Sequence, residues 1–207
     1  MYMPSQFETK DAATIHAAMR ANPFATLVGE DGDGLPFATH LPMLHVADGT
    51  PHGHLIGHVA RANQHWRLFG SATPALAIFA GPNAYISPTW YASDDMVPTW
   101  NYQAVHVYGR PVPVADDHAA LDIVVRLSAH FEAALPKPWT IDKMTPGKAL
   151  AMMKGIVAFT MPIDRIEAKS KMGQNRTDAD RLGAASALEA RGGEANLAVA
   201  RAMRAAG

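Results

Sequence analysis

Cysteine is absent from the 207 residues of this sequence. Its absence excludes disulfide bonds, thiolate metal sites and a cysteine nucleophile, and it leaves the redox compartment open. No run approaches the roughly 20 consecutive apolar residues that a membrane-spanning helix needs. Residues 1–7 lack the basic and apolar regions of a signal peptide, so we expect a cytoplasmic protein that is not bound to a membrane.

An excess of charge of either sign is also lacking. The chain has 18 Lys and Arg against 19 Asp and Glu, a net charge of −1. A surface that neutralises many phosphates needs a basic excess, so we do not expect direct binding of nucleic acid. No Gly-x-Ser-x-Gly elbow and no Gly-x-Gly-x-x-Gly after a strand occurs, which disfavours a hydrolase triad and a Rossmann dinucleotide site.

What the chain does have is 48% apolar and 18% charged residues, typical of one soluble globular core. Short runs of strand-forming residues, several with alternating apolar and polar residues, predict strands over 24–28, 35–46, 54–59, 75–80, 84–87, 104–114 and 156–167. Helical spacing predicts helices over 11–22, 62–70, 116–135, 145–154 and from 177 onward, with a break at Gly192-Gly193. Because helices do not alternate regularly with strands, the pattern favours a mostly antiparallel β-barrel with peripheral helices, an α+β fold. Pro36 and Pro42 predict an edge strand or a bulge.

The segment 97–102 carries the most unusual residue combination in the chain. Pro98 is followed by Trp100, Asn101 and Tyr102, directly before a predicted strand. Ordinary turns use Gly, Asp, Asn or Ser for backbone reasons, and two large amphipathic rings do not fit that pattern. The segment therefore predicts a wall on which a planar ligand stacks.

A second group of polar residues lies where a predicted strand meets a short helix. Arg61, Asn63 and His65 cluster at this junction. Free backbone N–H groups beside a guanidinium form a natural anion site. The alternative is that these side chains only cap the helix, and the sequence leaves both interpretations open.

A third group follows the last predicted strand. Lys169, Lys171 and Arg176 lie within eight residues together with Gln174 and Asn175. Such a set can bind a phosphate or the polar edge of a ring, although a solvated basic loop is the usual meaning of a charge run. The histidines at 40, 45, 52, 54 and 58 suggest a metal site, but no His-Glu-x-x-His or compact carboxylate partner accompanies them, so no metal is expected.

Several motifs keep a common order from residue 1 to about residue 180. They are Met1-Tyr-Met-Pro…Phe7, Thr39-His-Leu-Pro42, Gly57-His-Val-Ala-Arg-Ala-Asn63 with Trp66, Tyr85-Ile-Ser-Pro88…Trp90-Tyr91, Val97-Pro-Thr-Trp-Asn-Tyr102, Val105-His106…Gly109 and Lys171…Gln174-Asn-Arg176. Together they resemble the PaiB-like family, the FMN-binding negative transcriptional regulators of bacteria. One departure is Gly173, where the family often has Ser, which removes one possible hydroxyl contact.

The resemblance implies an FMN-binding split barrel over residues 1–176, usually a homodimer with flavin at the subunit interface, followed by an Ala-rich helical tail over 177–207. It places Arg61, Asn63 and the backbone of Ala60 and Ala62 at the flavin phosphate. The residues it places along the flavin ring are Thr39, His40 and Leu41 on one strand, Trp100 and Asn101 as a wall, and Lys171, Gln174, Asn175 and Arg176 over the polar edge. His40 and His58 are candidate proton donors near the ring.

Three functions remain open from the sequence. The first is an FMN-binding protein that acts in regulation or as a redox protein, as the resemblance implies. The second is an FMN-dependent oxidoreductase that uses NAD(P)H, for which no residue stands out as an obligatory acid or base. The third, ranked last, is a haem-binding split-barrel protein, because ten histidines are present but no axial ligand can be singled out.

Overall fold

A computed structural model of the protein describes residues 1–206, which form eight strands and five α-helices. The strands are β1 (Phe24–Glu30), β2 (Pro36–Pro42), β3 (Leu44–Val46), β4 (His54–Ala60), β5 (Ala75–Ile86), β6 (Thr99–Gly109), β7 (Val112–Pro113) and β8 (Ile156–Lys171). The helices are α1 (Ala12–Ala21), α2 (Asp117–Glu132), α3 (Lys148–Met152), α4 (Asp178–Arg191) and α5 (Glu194–Ala205). Short 3₁₀ turns lie at Ser5–Phe7, Gln64–Leu68, Pro88–Trp90, Ile141–Lys143 and Met153–Gly155.

The strands follow the order β2-β1-β5-β6-β8-β4-β3, with β7 beside β8. Strand β1 pairs antiparallel with both β2 and β5, and β4 pairs antiparallel with β3 and β8. The predicted antiparallel sheet is therefore confirmed. Strand β2 lies at one edge and has Pro36 and Pro42 at its two ends, as expected for residues that cannot donate to a sheet ladder.

The chain forms two compact units. Unit 1 comprises residues 1–18, 80–105 and the chain from 167 onward, and unit 2 comprises residues 19–79 and 106–166. Strands β5, β6 and β8 each contribute residues to both units. The helices α2 and α3 belong to unit 2, and α4 and α5 belong to unit 1.

Unit 2 has its core on both faces of strand β4 and the first part of β8. Leu55 and Val59 of β4 are buried, and so are Phe159 and Met161 of β8. On the other face, helix α2 packs Ala120, Ile123 and Leu127 against Ile56 and Ala158. Burial of each large apolar side chain contributes about 1.5–3 kcal/mol. Asp116 begins α2 by accepting a hydrogen bond from the backbone N–H of Ala119 at 2.7 Å, as the sequence predicts.

Unit 1 has its core beneath the α4–α5 hairpin. Buried small and apolar side chains of the two helices, including Ala184, Leu188 and Met203, cover Ile86 and Met172. The helices are joined at Gly192-Gly193, where φ is +67° and +83°, so the predicted break in the tail is confirmed. The domain boundary after residue 176 stays a prediction, and the last residue of the predicted tail lies outside the described residues.

The structure differs from the sequence-based prediction at several elements. The two short strands predicted over 75–80 and 84–87 are one strand, β5. The strand continues through Gly81 because a residue without a side chain lets strand β6 approach closely: a Cβ at Gly81 would lie 2.8 Å from Cβ of Gln103. Strand β6 begins at Thr99 rather than at residue 104 and ends at Gly109, and β7 is separate. The helices predicted over 62–70 and 145–154 are shorter, a 3₁₀ turn at Gln64–Leu68 and the five-residue α3.

None of the helices within residues 1–206 is long and apolar enough to cross a membrane.

Candidate functional site

Arg61 is held firmly at the end of β4 in unit 2. Its Nε donates a hydrogen bond to the carbonyl of Lys154 at 3.2 Å, and its Nη2 donates to the carbonyl of Ile156 at 2.7 Å. Its backbone N–H donates to the carbonyl of Gly155 at 2.9 Å. A guanidinium has five N–H donors, so several remain for a ligand after these contacts. The side chain is exposed, and its orientation is fixed by the backbone at the start of β8.

Trp66 completes this part of unit 2. Its Nε1 donates to the carbonyl of Arg61 at 2.9 Å, and its ring centre lies 5.9 Å from the Arg61 guanidinium. The two side chains border a cavity of about 320 Å³, at the lower end of the volumes of small-molecule sites. The other lining residues are mostly apolar: Pro113, Val114, Ala115, Asp117, Ala120, Met153, Ile156, Val157 and Ala158.

The chemistry of this cavity suits a planar ligand that carries an anionic group. The guanidinium supplies charge-assisted donors, and the indole and the apolar walls supply surface for a flat ring. Asp117, at the start of α2, is the one carboxylate among the lining residues. We call the cavity lined by these residues the Arg61 cavity. A flavin mononucleotide combines a flat ring with a phosphate, so the residues present fit that group.

Asn63, Thr39 and His65 form a hydrogen-bonded network beside Arg61. The Nδ2 of Asn63 donates to the Thr39 hydroxyl at 3.1 Å, and its Oδ1 accepts from the backbone N–H of His65 at 2.9 Å. The His65 Nδ1 lies 2.9 Å from the same hydroxyl. His65 is 1% exposed, and burial lowers its pKa. Asn63 therefore caps the 3₁₀ turn, and its predicted contact with a phosphate stays a prediction.

His58 carries a buried polar atom without a partner. It lies opposite Ala158 and shares a face of β4 with Ile56, the face on which α2 packs. Its Nδ1 is buried and has no hydrogen-bond partner within residues 1–206. Burial also lowers the pKa of His58. Unsatisfied buried polar groups are rare in native proteins, so this atom is a candidate contact for a ligand.

The other predicted residues of unit 2 have different surroundings. The Nδ1 of His40 lies 2.9 Å from the Thr26 hydroxyl, and its ring stacks on the exposed ring of Phe24. Leu41 is buried, whereas Ala60 and Ala62 are exposed. Unit 2 thus contains Thr39, His40, Leu41, His58, Ala60, Arg61, Ala62 and Asn63, and unit 1 contains Trp100, Asn101, Lys171, Gln174, Asn175 and Arg176.

Trp100 and Asn101 are the second and third residues of strand β6, which begins before them at Thr99. Trp100 is 54% exposed and makes an edge-to-face contact with Tyr85, with ring centres 6.0 Å apart. Asn101 is 2% exposed. Adjacent residues of a strand point to opposite faces, so Trp100 offers its side chain from the exposed face while Asn101 points inward.

The residues after β8 form a closed turn. Gln174 accepts from the backbone N–H of Met172 and donates to the carbonyl of Ser170, both at 2.7 Å. Its amide is therefore occupied within its own turn, whereas Asn175 is exposed. Lys171 donates to the Thr99 hydroxyl and to the carbonyl of Trp100.

Histidines elsewhere in unit 2 make structural contacts. The Nδ1 of His54 lies 2.6 Å from Asp48, and the Nε2 of His45 lies 2.9 Å from the carbonyl of His52. Hydrogen bonds from Thr50 and then from His54 lower the pKa of Asp48 to about 2. Within residues 1–206, no three His, Asp or Glu side chains form a group that could hold a metal ion.

The sequence predicts Arg61 as a ligand contact, but it does not predict most of the residues that line the cavity beside Arg61. Trp66 belongs to the motif that begins at Gly57, and its large ring three residues after Asn63 is a signal that could have identified it as a lining residue. Met153, Ala115 and Ala120 come from distant segments with ordinary core patterns, so nothing in the sequence marks them as lining a cavity.

Comparison with known families identifies the family of the chain. The model of a family described as "Putative FMN-binding domain" matches residues 1–165. The chain belongs to this family. The chain is 36% identical over 189 residues to "Protease synthase and sporulation protein PAI 2" of Bacillus subtilis, a match that covers 91% of this chain and 89% of that protein. The resemblance to PaiB-like proteins is thereby confirmed.

Relatives of the chain are not confined to bacteria. The Saccharomyces cerevisiae protein YKL070W is 30% identical over 138 residues, covering 56% of this chain and 81% of that protein. The sequence-based description of the family as bacterial is therefore too narrow.

Solved structures share the fold. The flavocytochrome Anf3 from Azotobacter vinelandii has a TM-score of 0.64 at 16% identity, covering 81% of this chain and 70% of that chain. The FAD and heme binding protein from Mycobacterium smegmatis has a TM-score of 0.59 at 17% identity, covering 90% and 80%. At such identities the likeness concerns the fold alone, and the predicted split barrel with peripheral helices is confirmed.

Proposed function

We propose that this protein binds FMN at the Arg61 cavity and acts in regulation or as a redox protein. The observation that carries the proposal is the cavity of about 320 Å³ bordered by the Arg61 guanidinium and the Trp66 ring. Membership of the FMN-binding domain family supports the choice of ligand. When bound, FMN supplies one- or two-electron transfer, and the protein supplies binding, orientation and electrostatics.

The residues of unit 2 divide this work between charge and shape. Arg61 is always protonated, so it offers fixed positive charge and fork-shaped donors to a phosphate. Trp66 and the apolar walls offer surface to a flat ring and exclude water from it. His58, on the strand that ends before Arg61, does not line the cavity, and its lowered pKa keeps the imidazole neutral near pH 7.

The remaining flavin contacts that the resemblance implies stay predictions. They are Thr39, His40, Leu41, Ala60, Ala62 and Asn63 in unit 2, and Trp100, Asn101, Lys171, Gln174, Asn175 and Arg176 in unit 1. We also propose a cytoplasmic homodimer, as the resemblance to PaiB-like proteins implies. Light scattering of the purified protein with and without FMN tests the dimer.

A direct titration tests the ligand. The apoprotein is titrated separately with FMN, FAD, riboflavin and haem, and flavin fluorescence and the haem Soret band are followed. We expect FMN to bind with the highest affinity and with a 1:1 ratio per chain. Binding of haem in preference to every flavin, or no flavin binding at all, would contradict the proposal.

A second experiment separates an oxidoreductase from a protein that only carries the flavin. FMN-loaded protein is mixed with NADH or NADPH in the absence of oxygen, and the flavin absorption is followed. Rapid bleaching, followed by repeated turnover when an acceptor is added, would identify an NAD(P)H-dependent oxidoreductase. Slow bleaching at the rate of free FMN would favour the regulatory function.

A further inference from the structure

Unit 1 contains a buried lysine that pairs with aromatic rings. Lys169 of β8 is 7% exposed, and its Nζ lies 5.5 Å from the ring centre of Tyr2 and 5.1 Å from that of Tyr102. Its Nζ also donates to the carbonyl of Tyr2 at 3.2 Å. Lysine is rarely buried to this extent unless a charged partner accompanies it. The contacts that Lys169 makes are instead all to neutral groups.

Lys171 extends the same positive surface. Residues two apart on a strand share a face, so Lys169 and Lys171 project from the same side of β8. The Nζ of Lys171 donates to the hydroxyl of Thr99 and to the carbonyl of Trp100, the latter at 2.9 Å. An ammonium has three donors, so one remains after these contacts. Burial lowers the pKa of Lys171, and the nearby charges of Lys169 and Arg176 lower it further.

Arg176 is the third cation of this group. Its Nη1 donates to the Sδ of Met96 at 3.2 Å, and its guanidinium lies 5.4 Å from the ring centre of Tyr91. A thioether is a weak acceptor, so most of the five donors of Arg176 remain available. An arginine fork that is held against an aromatic face suits bidentate recognition of an oxyanion.

No carboxylate of the described chain compensates these three charges. Within residues 1–206, none of the ion pairs includes Lys169, Lys171 or Arg176. Three carboxylates close to this group along the chain have other partners: Glu167 contacts the amino group of Met1, Asp178 accepts from Arg181, and Asp180 accepts hydrogen bonds from Ser93 and Thr177. Three partly or fully buried cations without a counter-charge are costly to keep together, and an anion would remove that cost.

We propose that Lys169, Lys171 and Arg176 form a binding site for a phosphate group. Lys171 and Arg176 would contact its oxygens through their unused donors, and Lys169 would supply positive charge from the buried side. A tetrahedral dianion matches a site with three cations and several divergent donors better than a monoanionic carboxylate does. Because the proposed function places the FMN phosphate at Arg61 in unit 2, we assign the phosphate bound by these residues of unit 1 to a second phosphorylated ligand, and the inference does not rest on the proposed function.

The test compares matched variants with defined probes. The full-length protein, Lys171→Gln, Arg176→Gln and the control Arg191→Gln are each titrated with inorganic phosphate by calorimetry at constant ionic strength. Arg191 is a suitable control because it is a cation of the same unit outside the group of three. It lies on α4, and its guanidinium lies 5.6 Å from the ring centre of Trp90. We expect Lys171→Gln and Arg176→Gln each to weaken phosphate binding about 10-fold, as loss of one charge-assisted contact does. Arg191→Gln should match the wild type.

A second titration identifies the source of the phosphate. Wild type and Lys171→Gln are titrated with FMN and with riboflavin, which lacks the phosphate. Loss of the preference for FMN over riboflavin in Lys171→Gln supports the phosphate site, assigns it to the flavin phosphate and contradicts the assignment of that phosphate to Arg61. An unchanged preference with weakened binding of inorganic phosphate supports the site and assigns it to a second ligand.

Two outcomes would overturn the inference. One is that inorganic phosphate binds Lys171→Gln and Arg176→Gln as tightly as wild type while the preference for FMN is also unchanged. The other is that wild type binds no phosphate and shows no preference for FMN over riboflavin. Lys171→Arg, which keeps the charge, should restore binding and so separates loss of the site from misfolding. If wild type binds phosphate but no flavin, the proposed function fails and the phosphate site stands.

Discussion

Arg61 and Trp66 hold each other at the rim of the cavity in unit 2. The Trp66 Nε1 donates to the Arg61 carbonyl at 2.9 Å, while the Arg61 guanidinium lies 5.9 Å from the centre of the Trp66 ring. The backbone of one residue thus positions the ring of the other, and the ring in turn lies beside the charge. An anion and a planar group would meet side chains whose orientation is already fixed, which lowers the entropy cost of binding.

The first prediction concerns the charge of Arg61. Replacing Arg61 with Gln removes the charge-assisted donors, so we expect FMN affinity to fall about 10-fold or more, equivalent to at least about 1.4 kcal/mol. Riboflavin affinity should change less, because riboflavin has no phosphate. Fluorescence titration of both flavins measures the difference.

Arg67→Gln is the matched control for this prediction. The Arg67 guanidinium lies 6.0 Å from the centre of the same Trp66 ring, but Arg67 does not line the cavity. Equal losses of FMN affinity in Arg61→Gln and Arg67→Gln would show that the two cations act only through the Trp66 ring or through general charge.

The second prediction concerns stability against pH. Burial lowers the pKa of His58 and of His65 below the ordinary value of 6.5. Below pH 6.5 the unfolded chain therefore binds protons that the folded chain does not, so the free energy of unfolding falls as the pH drops. Well above pH 6.5 both states are neutral at these residues, and they contribute no pH dependence.

Urea unfolding at about pH 5.5 and about pH 7.5 measures this effect. We expect His58→Gln to lose less stability than wild type between these two pH values, because one of the two buried titrating groups is gone. His118→Gln, which removes an exposed histidine of α2, should keep the wild-type dependence. An identical pH dependence in His58→Gln and wild type would contradict the assignment.

The third prediction concerns the loop before β6. The carboxylate of Asp180 accepts from the backbone N–H and the hydroxyl of Ser93, both at 2.8 Å, and from the Thr177 hydroxyl at 2.9 Å. The same loop contains Asp95 with φ of +58°, a strained conformation for a residue other than glycine. We expect Asp180→Ala to release the loop and to accelerate hydrogen exchange of the Ser93 amide.

Asp178→Ala is the control for the loop. Asp178 lies in the same first turn of α4, but its side chain is 83% exposed and contacts Arg181. Mass spectrometry of peptides that span residues 91–98 should show faster exchange in Asp180→Ala alone. Similar exchange in both variants would mean that the first turn of α4, rather than the carboxylate of Asp180, holds the loop.

The fourth prediction concerns Gly109 at the end of β6. A Cβ at this position would lie 2.1 Å from the carbonyl oxygen of Pro162, a distance that forces backbone to move. We expect Gly109→Ala to lower the free energy of unfolding by about 1–3 kcal/mol, as overpacking does. Gly32→Ala, where nothing lies within 4 Å of the added Cβ, is the control for urea unfolding. Equal stability of the two variants would refute the close approach.

Particular residues show how far the sequence reaches. Pro36 and Pro42 predict the edge position of β2, and Gly192-Gly193 predicts the break between α4 and α5, because each depends on a local backbone property. The start of β6 is predicted at residue 104 but lies at Thr99, because the Pro and Asn of segment 97–102 resemble turn residues while pairing with other strands extends β6 into this segment. The split of β5 at Gly81-Pro82 is wrong for the same reason: tertiary contact overrides a local signal.

The candidate site also has features that the sequence predicts and features that only the structure shows. The motif order over residues 1 to about 180 is sufficient to identify the family, since motifs are a property of the sequence itself. Whether Asn63 caps a turn or faces a ligand, and whether Gln174 is free or closes its own turn, depends on hydrogen bonds that no spacing specifies.

The sequence by itself determined the family and, through the resemblance, the antiparallel split barrel, because motif order and strand order are properties of the sequence, whereas the role of Arg61 stays a prediction. Only the tertiary structure decided that Trp66, Met153 and Ala120 border one cavity with Arg61, and that Lys169 is buried between Tyr2 and Tyr102. The physical reason is that cavities and charge clusters arise where distant segments meet. Whether a side chain is buried, and whether a counter-charge lies beside it, depends on which distant segments pack together, and the linear sequence does not specify this.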